Sequence, residues 1–280
     1  MDDPVITVED FRQFREFFYR KTGIYFDDNK RYFVDRRLID RINATTHANF
    51  RRYFWFLRFQ ASGDELQKLT NAMTVNETYF FREDYQFQCL SRSILPEIVK
   101  TKRRGSTIRI WCVPSSSGEE PYSIALHLLE CWPDIDQWNV EITASDIDTD
   151  ILAAAVKASF SKRSVQNVPA PMLAKYFSRS EADEYQLCDD VRHAIDFTHV
   201  NIVNGDETRA YRGFDIIFCR NLLIYFDDLS RRQAAEMFFD ALNPGGYICL
   251  GHSESMSRIS SIFRIRKFPE TIAYQKPEET

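Results

Sequence analysis

The sequence predicts an α/β protein: a doubly wound, largely parallel sheet behind an all-helical N-terminal domain. Three observations carry this. Apolar strand-like runs recur at 108–113 (IRIWCV), 140–146 (VEITASD), 214–221 (FDIIFCRN) and 246–252 (GYICLGH). Helical patterns over Glu119–Glu130, Thr149–Ala158 and Ser230–Leu242 alternate with them, the order expected of βαβ units. Residues 1 to about 75 show helical periodicity only.

In chain order, Thr7-Val-Glu-Asp10 reads as a capping box with Asp in the acidic position, and Phe11, Phe14, Phe17 and Phe18 share one helical face that Gly23 ends. A second helix starts near Asp28 and is expected to turn Tyr32, Phe33, Leu38 and Ile42 inward. A third covers Asn49 to Gln60 and a fourth begins near Asp64. Residues 76–107 read as a linker and a helix covering the ligand site. A helix beginning near Thr78 would set Thr78 and Arg82 one turn apart on one face. The sheet domain is expected over 108–280, with a small antiparallel β-subdomain inserted at about 159–200. Forty residues of short strands and polar connection are too many for a plain loop.

Composition narrows the function. Hydrophobic residues at 44% and charged residues at 28% describe a soluble globular chain. A net charge of −5 argues against general nucleic-acid binding. No apolar run spans a membrane, and the acidic start MDDPVITVED has no signal-peptide pattern. Six scattered cysteines form no CxxC pair and five histidines show no metal spacing; Cys112, Cys219 and Cys249 sit in apolar runs and read as buried thiols, in a cytoplasmic protein with no structural metal. No long heptad pattern appears, so a monomer is expected. Lys30, Arg31, Arg36, Arg37, Arg41, Arg51, Arg52 and Arg58 make the helical domain basic. They read either as solvated faces or as a landing surface for an acidic protein partner.

The strand ends carry the chemistry. The first strand runs into SSSGEE, where a phosphate loop would have several glycines and a positive field. Gly118 is the lone glycine there, and Glu119 and Glu120 would repel a pyrophosphate. A nucleoside ligand with positive charge and no phosphate fits better, and S-adenosylmethionine has a sulfonium and an ammonium. Asp146, at the end of the second strand, is placed to hold ribose hydroxyls, with Asp148 the competitor and a helix cap the plain alternative for either. Only one of Glu119 and Glu120 needs to face the ligand; the other can serve the helix start.

TVNETYFFRED, SSSGEEPYSIAL, ASDID, FCRNLLIYFD and PGGYICLGHSES follow one another across 74–255. In this order they resemble the CheR family of chemotaxis methyltransferases, which methylate glutamate side chains of bacterial chemoreceptors. The resemblance implies a class I S-adenosylmethionine-dependent methyltransferase fold with a helical N-terminal domain and an inserted β-subdomain. It implies S-adenosylmethionine as cofactor and S-adenosylhomocysteine as product. It implies cofactor contacts from Asn76, Thr78, Arg82, Glu119, Asp146, Asn201, Ile202, Arg220 and Asn221, with Arg82 and Tyr225 holding the substrate carboxylate. It implies the cytoplasmic domain of chemoreceptors as partner, with a receptor tail peptide docking on the β-subdomain in some members. The chain departs from the family pattern at Val113, Pro114 and Ser115, where alanines are frequent, and at Ser117, where Thr is common. None of these changes a charged group. Glu120 has no assigned role.

Overall fold

The structure, a computed structural model, describes residues 4–278 apart from 46, 61, 181 and 182. Four helices come first: α1 (Val8–Thr22), α2 (Arg31–Ala44), α3 (Phe50–Phe59) and α4 (Asp64–Met73). The predicted capping box forms. Thr7 Oγ1 accepts the Asp10 N–H at 3.1 Å and the Asp10 carboxylate accepts the Thr7 N–H at 3.0 Å. Gly23 ends α1 at φ +71°, and a Cβ there would lie 2.6 Å from Val203. The glycine thus serves both the left-handed cap and the close approach of the following domain.

In α2 the inward stripe is Val34, Leu38 and Ile42. Tyr32, expected inside, is 78% exposed. A 3₁₀ turn over Asp28–Lys30 precedes α2, and Tyr32 sits about 200° around the helix from Val34 at 3.6 residues per turn. Three of the basic residues are spent inside the domain. Arg41 forks onto Glu65 at 2.8 and 2.9 Å, and the Tyr53 hydroxyl donates to the same carboxylate at 2.8 Å. Arg37 lies 3.4 Å over the Phe33 ring and donates to the Phe33 and Ala72 carbonyls. Arg31 donates to Asp35 and to the Ile6 carbonyl. Lys30, Arg36, Arg51, Arg52 and Arg58 are exposed and make no ion pair among the described residues.

The central sheet holds β1 (Thr107–Cys112), β2 (Asn139–Asp146), β6 (Ile195–His199), β7 (Phe214–Cys219), β8 (Leu242–Leu250), β9 (Arg264–Lys267) and β10 (Ile272–Gln275). Their order is β6-β2-β1-β7-β8-β10-β9, parallel except for β10, which runs antiparallel to β8 and β9. The chain winds one way from β1 to β6 and the other way from β7. The β1/β7 boundary is therefore the switch point, where a crevice opens beyond the strand ends.

The insertion is shorter than expected. It is a three-stranded antiparallel sheet of β3 (Ser159–Phe160), β4 (Phe177–Arg179) and β5 (Tyr185–Leu187), in the order β3-β5-β4. Ile195–His199 was read with it but pairs parallel to β2 in the main sheet. Alternation in IDFTH does not reveal which neighbour a strand takes.

Helices α5 (Tyr85–Cys89), α6 (Leu95–Thr101), α7 (Glu119–Cys131), α8 (Thr149–Lys157), α9 (Ala170–Tyr176), α10 (Asp189–Arg192), α11 (Gly205–Thr208) and α12 (Asp228–Ala241) complete the fold. A π-turn over Leu90–Ile94 joins α5 to α6. Two cores form on the two faces of the sheet. Trp111, Ile217 and Ile248 point into one, with Phe238 of α12 and Phe14, Val34 and Leu57 of the N-terminal helices. Ile110, Phe218 and Cys249 point into the other, with Phe80, Phe87 and Leu90 of the 76–107 segment and Ile124 of α7. Period-two alternation in β1, β7 and β8 sorts these side chains. The N-terminal helices share one continuous core with the sheet. Glu65→Ala is expected to cost about 1–3 kcal/mol, because it leaves the half-buried Arg41 guanidinium and the buried Tyr53 hydroxyl without their acceptor. Exposed Arg58→Ala should change stability by less than about 0.5 kcal/mol. Urea unfolding of both variants checks this contrast.

Candidate functional site

A cavity of about 570 Å³ opens at the carboxyl ends of β1, β2 and β7. Its floor comes from the 113–118 loop, Asp146 and the 220–226 loop. Its far wall comes from the N-terminal domain: Tyr25, Asp27, Lys30 and Phe33. The two halves are tied together. The Tyr19 hydroxyl bonds Asp227 at 3.0 Å, Tyr25 N–H donates to the Tyr225 carbonyl at 3.0 Å, and Asn71 Nδ2 donates to Thr149 at 2.9 Å.

Asp146 ends β2 and is 3% exposed. It accepts the N–H groups of Ser116 and Asp148 at 2.9 and 3.0 Å. Burial pushes its carboxyl up to about 6. Asp148, its competitor, is the α8 cap: it accepts from Asp150 N and Ile151 N and from Thr74 and Asn76 side chains. So the Asn76 amide is engaged on Asp148 while the residue lines the cavity.

The adjacent glutamates divide as one facing in and one facing out, but in the opposite sense to the assignment made from resemblance. Glu119 does not line the cavity. Its carboxylate accepts Ser117 and Ser164 hydroxyls, both at 2.6 Å, and holds the loop to the insertion. Glu120 lines the cavity and pairs with Arg220 Nη1 at 2.6 Å. Its other oxygen is buried with no hydrogen-bond partner among the described residues. Burial raises its pKa although Arg220 opposes this. Gly118 also has a different task. At φ +96° a Cβ would meet the Tyr122 ring at 2.8 Å, so the glycine is needed for the turn into α7.

Thr78 and Arg82 both line the cavity, without the helix expected there. Residues 80–84 form turns, and α5 begins only at Tyr85. Phe81 and Glu83 take left-handed φ values of +56° and +58°, each costing of order 1–2 kcal/mol for a residue with a Cβ. The turn is compensated by Phe80 N–H on the Ser164 carbonyl and Phe81 N–H on Ser123 Oγ, both at 2.9 Å. Arg82 Nη1 donates to its own Glu77 carbonyl at 3.0 Å.

Arg220 is 5% exposed. Its guanidinium donates to Glu120 and, at 2.6 Å, to the Arg82 carbonyl, and lies 3.2 Å from Glu83. Burial works against its charge, but Glu120 and Glu83 more than offset that and its pKa is raised. Asn221 follows at φ +58°. Half-buried Glu254 accepts the N–H groups of Asn221, Leu223 and Gly251 at 2.8–2.9 Å and so shapes the loop carrying Tyr225. Burial raises the Tyr225 phenol pKa. Asn201 and Ile202 line the far side, with Asn201 Nδ2 donating to the Lys21 carbonyl at 2.6 Å.

Two family models match adjoining stretches: the CheR methyltransferase all-alpha domain over residues 9–74 and the CheR methyltransferase SAM binding domain over residues 76–272. The chain belongs to the CheR methyltransferase family. It is 56% identical over 279 residues to chemotaxis protein methyltransferase 2 of Vibrio cholerae, covering 100% of this chain and 96% of that one. It is 35% identical to chemotaxis protein methyltransferase 2 of Pseudomonas aeruginosa, over 92% of this chain and 90% of that one. It is 32% identical to the Escherichia coli chemotaxis protein methyltransferase, over 91% and 87%.

The SAM-binding domain of this CheR chain thus contributes the cavity floor. No sequence pattern reveals the far wall: Tyr25 lies between α1 and α2, Lys30 reads as one of many basic residues and Phe33 as an apolar helix residue, and no spacing marks them. Glu120 was legible as one of two options. Its selection follows from helix phase at the start of α7, where the two neighbouring side chains point about 100° apart.

Proposed function

We propose that this CheR protein transfers a methyl group from S-adenosylmethionine to glutamate side chains in the cytoplasmic domain of chemoreceptors, leaving S-adenosylhomocysteine and a methyl ester. The observation that carries the reading is Glu120: it lines a nucleoside-sized cavity beside buried Asp146, and one of its carboxylate oxygens has no hydrogen-bond partner among the described residues. Such an oxygen fits a positively charged group far better than a phosphate. Asp146 would hold the ribose hydroxyls, Asn201 and Ile202 would line the adenine end, and Asn76, Thr78, Arg220 and Asn221 would complete the shell. Glu120 takes the place first assigned to Glu119.

When bound, the cofactor supplies a methyl group on an electrophilic sulfonium. The protein's own task is alignment. A glutamate carboxylate is ionised at neutral pH, with a reference pKa near about 4.3, and needs no general base. Arg82 and Tyr225 both line the cavity and would orient it by charge-assisted hydrogen bonds. Tyr225 stays a neutral donor, because burial raises its pKa. Alignment of this kind can supply about 7–11 kcal/mol in favourable systems.

Receptor recognition is read from the exposed charges. Lys30 lines the cavity from the 3₁₀ turn and Arg36 lies in the α2 helix that follows, so an acidic receptor helix would meet them at the entrance. Arg37 and Arg41 are excluded from this surface by their internal bonds. A receptor tail peptide would add by main-chain pairing to β4, an edge strand of the inserted sheet.

Methylation of a soluble receptor fragment, followed with labelled cofactor, tests the function. Arg82→Ala is expected to lower kcat/KM by about 100-fold or more while S-adenosylhomocysteine affinity by calorimetry changes far less. Near-normal turnover would refute the role of Arg82. Lys30→Glu with Arg36→Glu should raise the receptor KM most strongly at low salt; kinetics unchanged at low salt would count against the landing surface.

The pH dependence has a definite sign. With its pKa raised to about 6, Asp146 keeps its proton below that pH in the empty site. Ribose hydroxyls bind best to the ionised form, so binding expels the proton. Product affinity should therefore fall as pH drops through 6, and Asp146→Asn should make the fall shallower. Affinity that is level from pH 7.5 to 5 (about one unit below the pKa) would contradict this.

A further inference from the structure

Glu83 is a half-buried carboxylate beside the site, with no part in the function described above. It occupies one of two left-handed positions flanking Arg82, at φ +58°, which a residue with a Cβ adopts only when its surroundings hold it. Its carboxylate accepts four partners. Oε2 takes Gln86 Nε2 at 3.0 Å, the Tyr85 hydroxyl at 3.1 Å and Arg220 Nη2 at 3.2 Å, and Oε1 takes His252 Nδ1 at 2.9 Å. Gln86 is itself anchored on the Leu250 carbonyl at 2.8 Å, and His252 follows β8. The carboxylate is thus fixed to the end of the sheet on one side.

On the other side it reaches Arg82 through Arg220. The Nη2 atom that meets Glu83 also donates to the Arg82 carbonyl at 2.6 Å. Nη1 is taken by Glu120, and Nε is buried without a partner. Two carboxylates therefore pull on one guanidinium from different sides, and the guanidinium grips the backbone of Arg82. Without Glu83, Glu120 would be the one carboxylate on the guanidinium among the described residues, and Nη2 would keep only its bond to that carbonyl.

We infer that Glu83 is a positioning residue for methyl transfer: acting through Arg220, it sets the place of Arg82 over the cavity, while making no contact with cofactor or substrate. The inference rests on the reading of Arg82 as the partner of the substrate carboxylate.

The test is a pair of variants and a double-mutant cycle on the full chain with a soluble receptor fragment. Glu83→Gln keeps the shape and removes the charge. Glu83→Gly removes the carboxylate and relieves the left-handed backbone. Both should lower kcat by about 10–100-fold, as expected for a misplaced aligning group, with S-adenosylhomocysteine affinity changed less than about threefold. In an Arg82→Ala background Glu83→Gln should cost no more than about twofold further, because coupled residues do not act additively. A Glu83→Gly variant as active as the parent would show that only backbone shape matters and overturn the proposal. Losses that multiply in the cycle, or a fall in kcat matched by an equal fall in product affinity, would overturn it too. Near-normal turnover in Arg82→Ala defeats the reading of Arg82 itself. Near-normal turnover in Glu83→Gln beside an inactive Arg82→Ala defeats this proposal alone.

Discussion

The site depends on one buried cation. Arg220 stands at the end of β7 with its side chain 3% exposed, between Glu120 on α7 and Glu83 on the turn before α5. Three elements from different parts of the chain meet on its guanidinium. Burying a carboxylate without a counter-charge is costly, so neither glutamate could sit there alone. The two respond differently to the same partner. Glu83 has four donors and its pKa is lowered; Glu120 has one oxygen without a partner and its pKa is raised. A cationic ligand in the cavity would therefore favour the ionised form of Glu120, whereas Glu83 on the far side already has its donors.

The second constraint is that the cavity lies between two parts of the chain. The sheet provides a floor whose loops are held by acids: Asp146 for the 116 turn and Glu254 for the 221–223 turn. The N-terminal helices provide the wall. They share a core with one face of the sheet, and the Gly23 turn packs directly on Val203. Their place is therefore set by apolar packing, and Lys30 and Phe33 reach the cavity as a consequence.

Much of this was legible in the sequence. The helix starts at Thr7 and Asn49, the four main strands, the three helices between them and the acid at Asp146 follow from local patterns and strand-end chemistry. Local signals failed in identifiable places. Thr78 to Arg82 has helical spacing, yet the 80–84 stretch turns twice through left-handed φ, held by bonds to Ser123, Ser164 and Arg220. IDFTH alternates like an inserted strand but pairs with β2. Arg37 and Arg41 read as surface charge until Glu65, Tyr53 and the Ala72 carbonyl are brought to them by α3 and α4.

The sequence by itself determined the order of elements, the family and the set of charged residues available at the strand ends, because periodicity, caps and motif spacing are properties of near neighbours. Only the tertiary structure decided which of those charges face the cavity. Glu119 and Glu120 differ by one helical step, and Glu83, Glu120 and Arg220 are joined by contacts spanning 100 residues or more. The energy of a buried charge depends on what surrounds it in space, which no local pattern records.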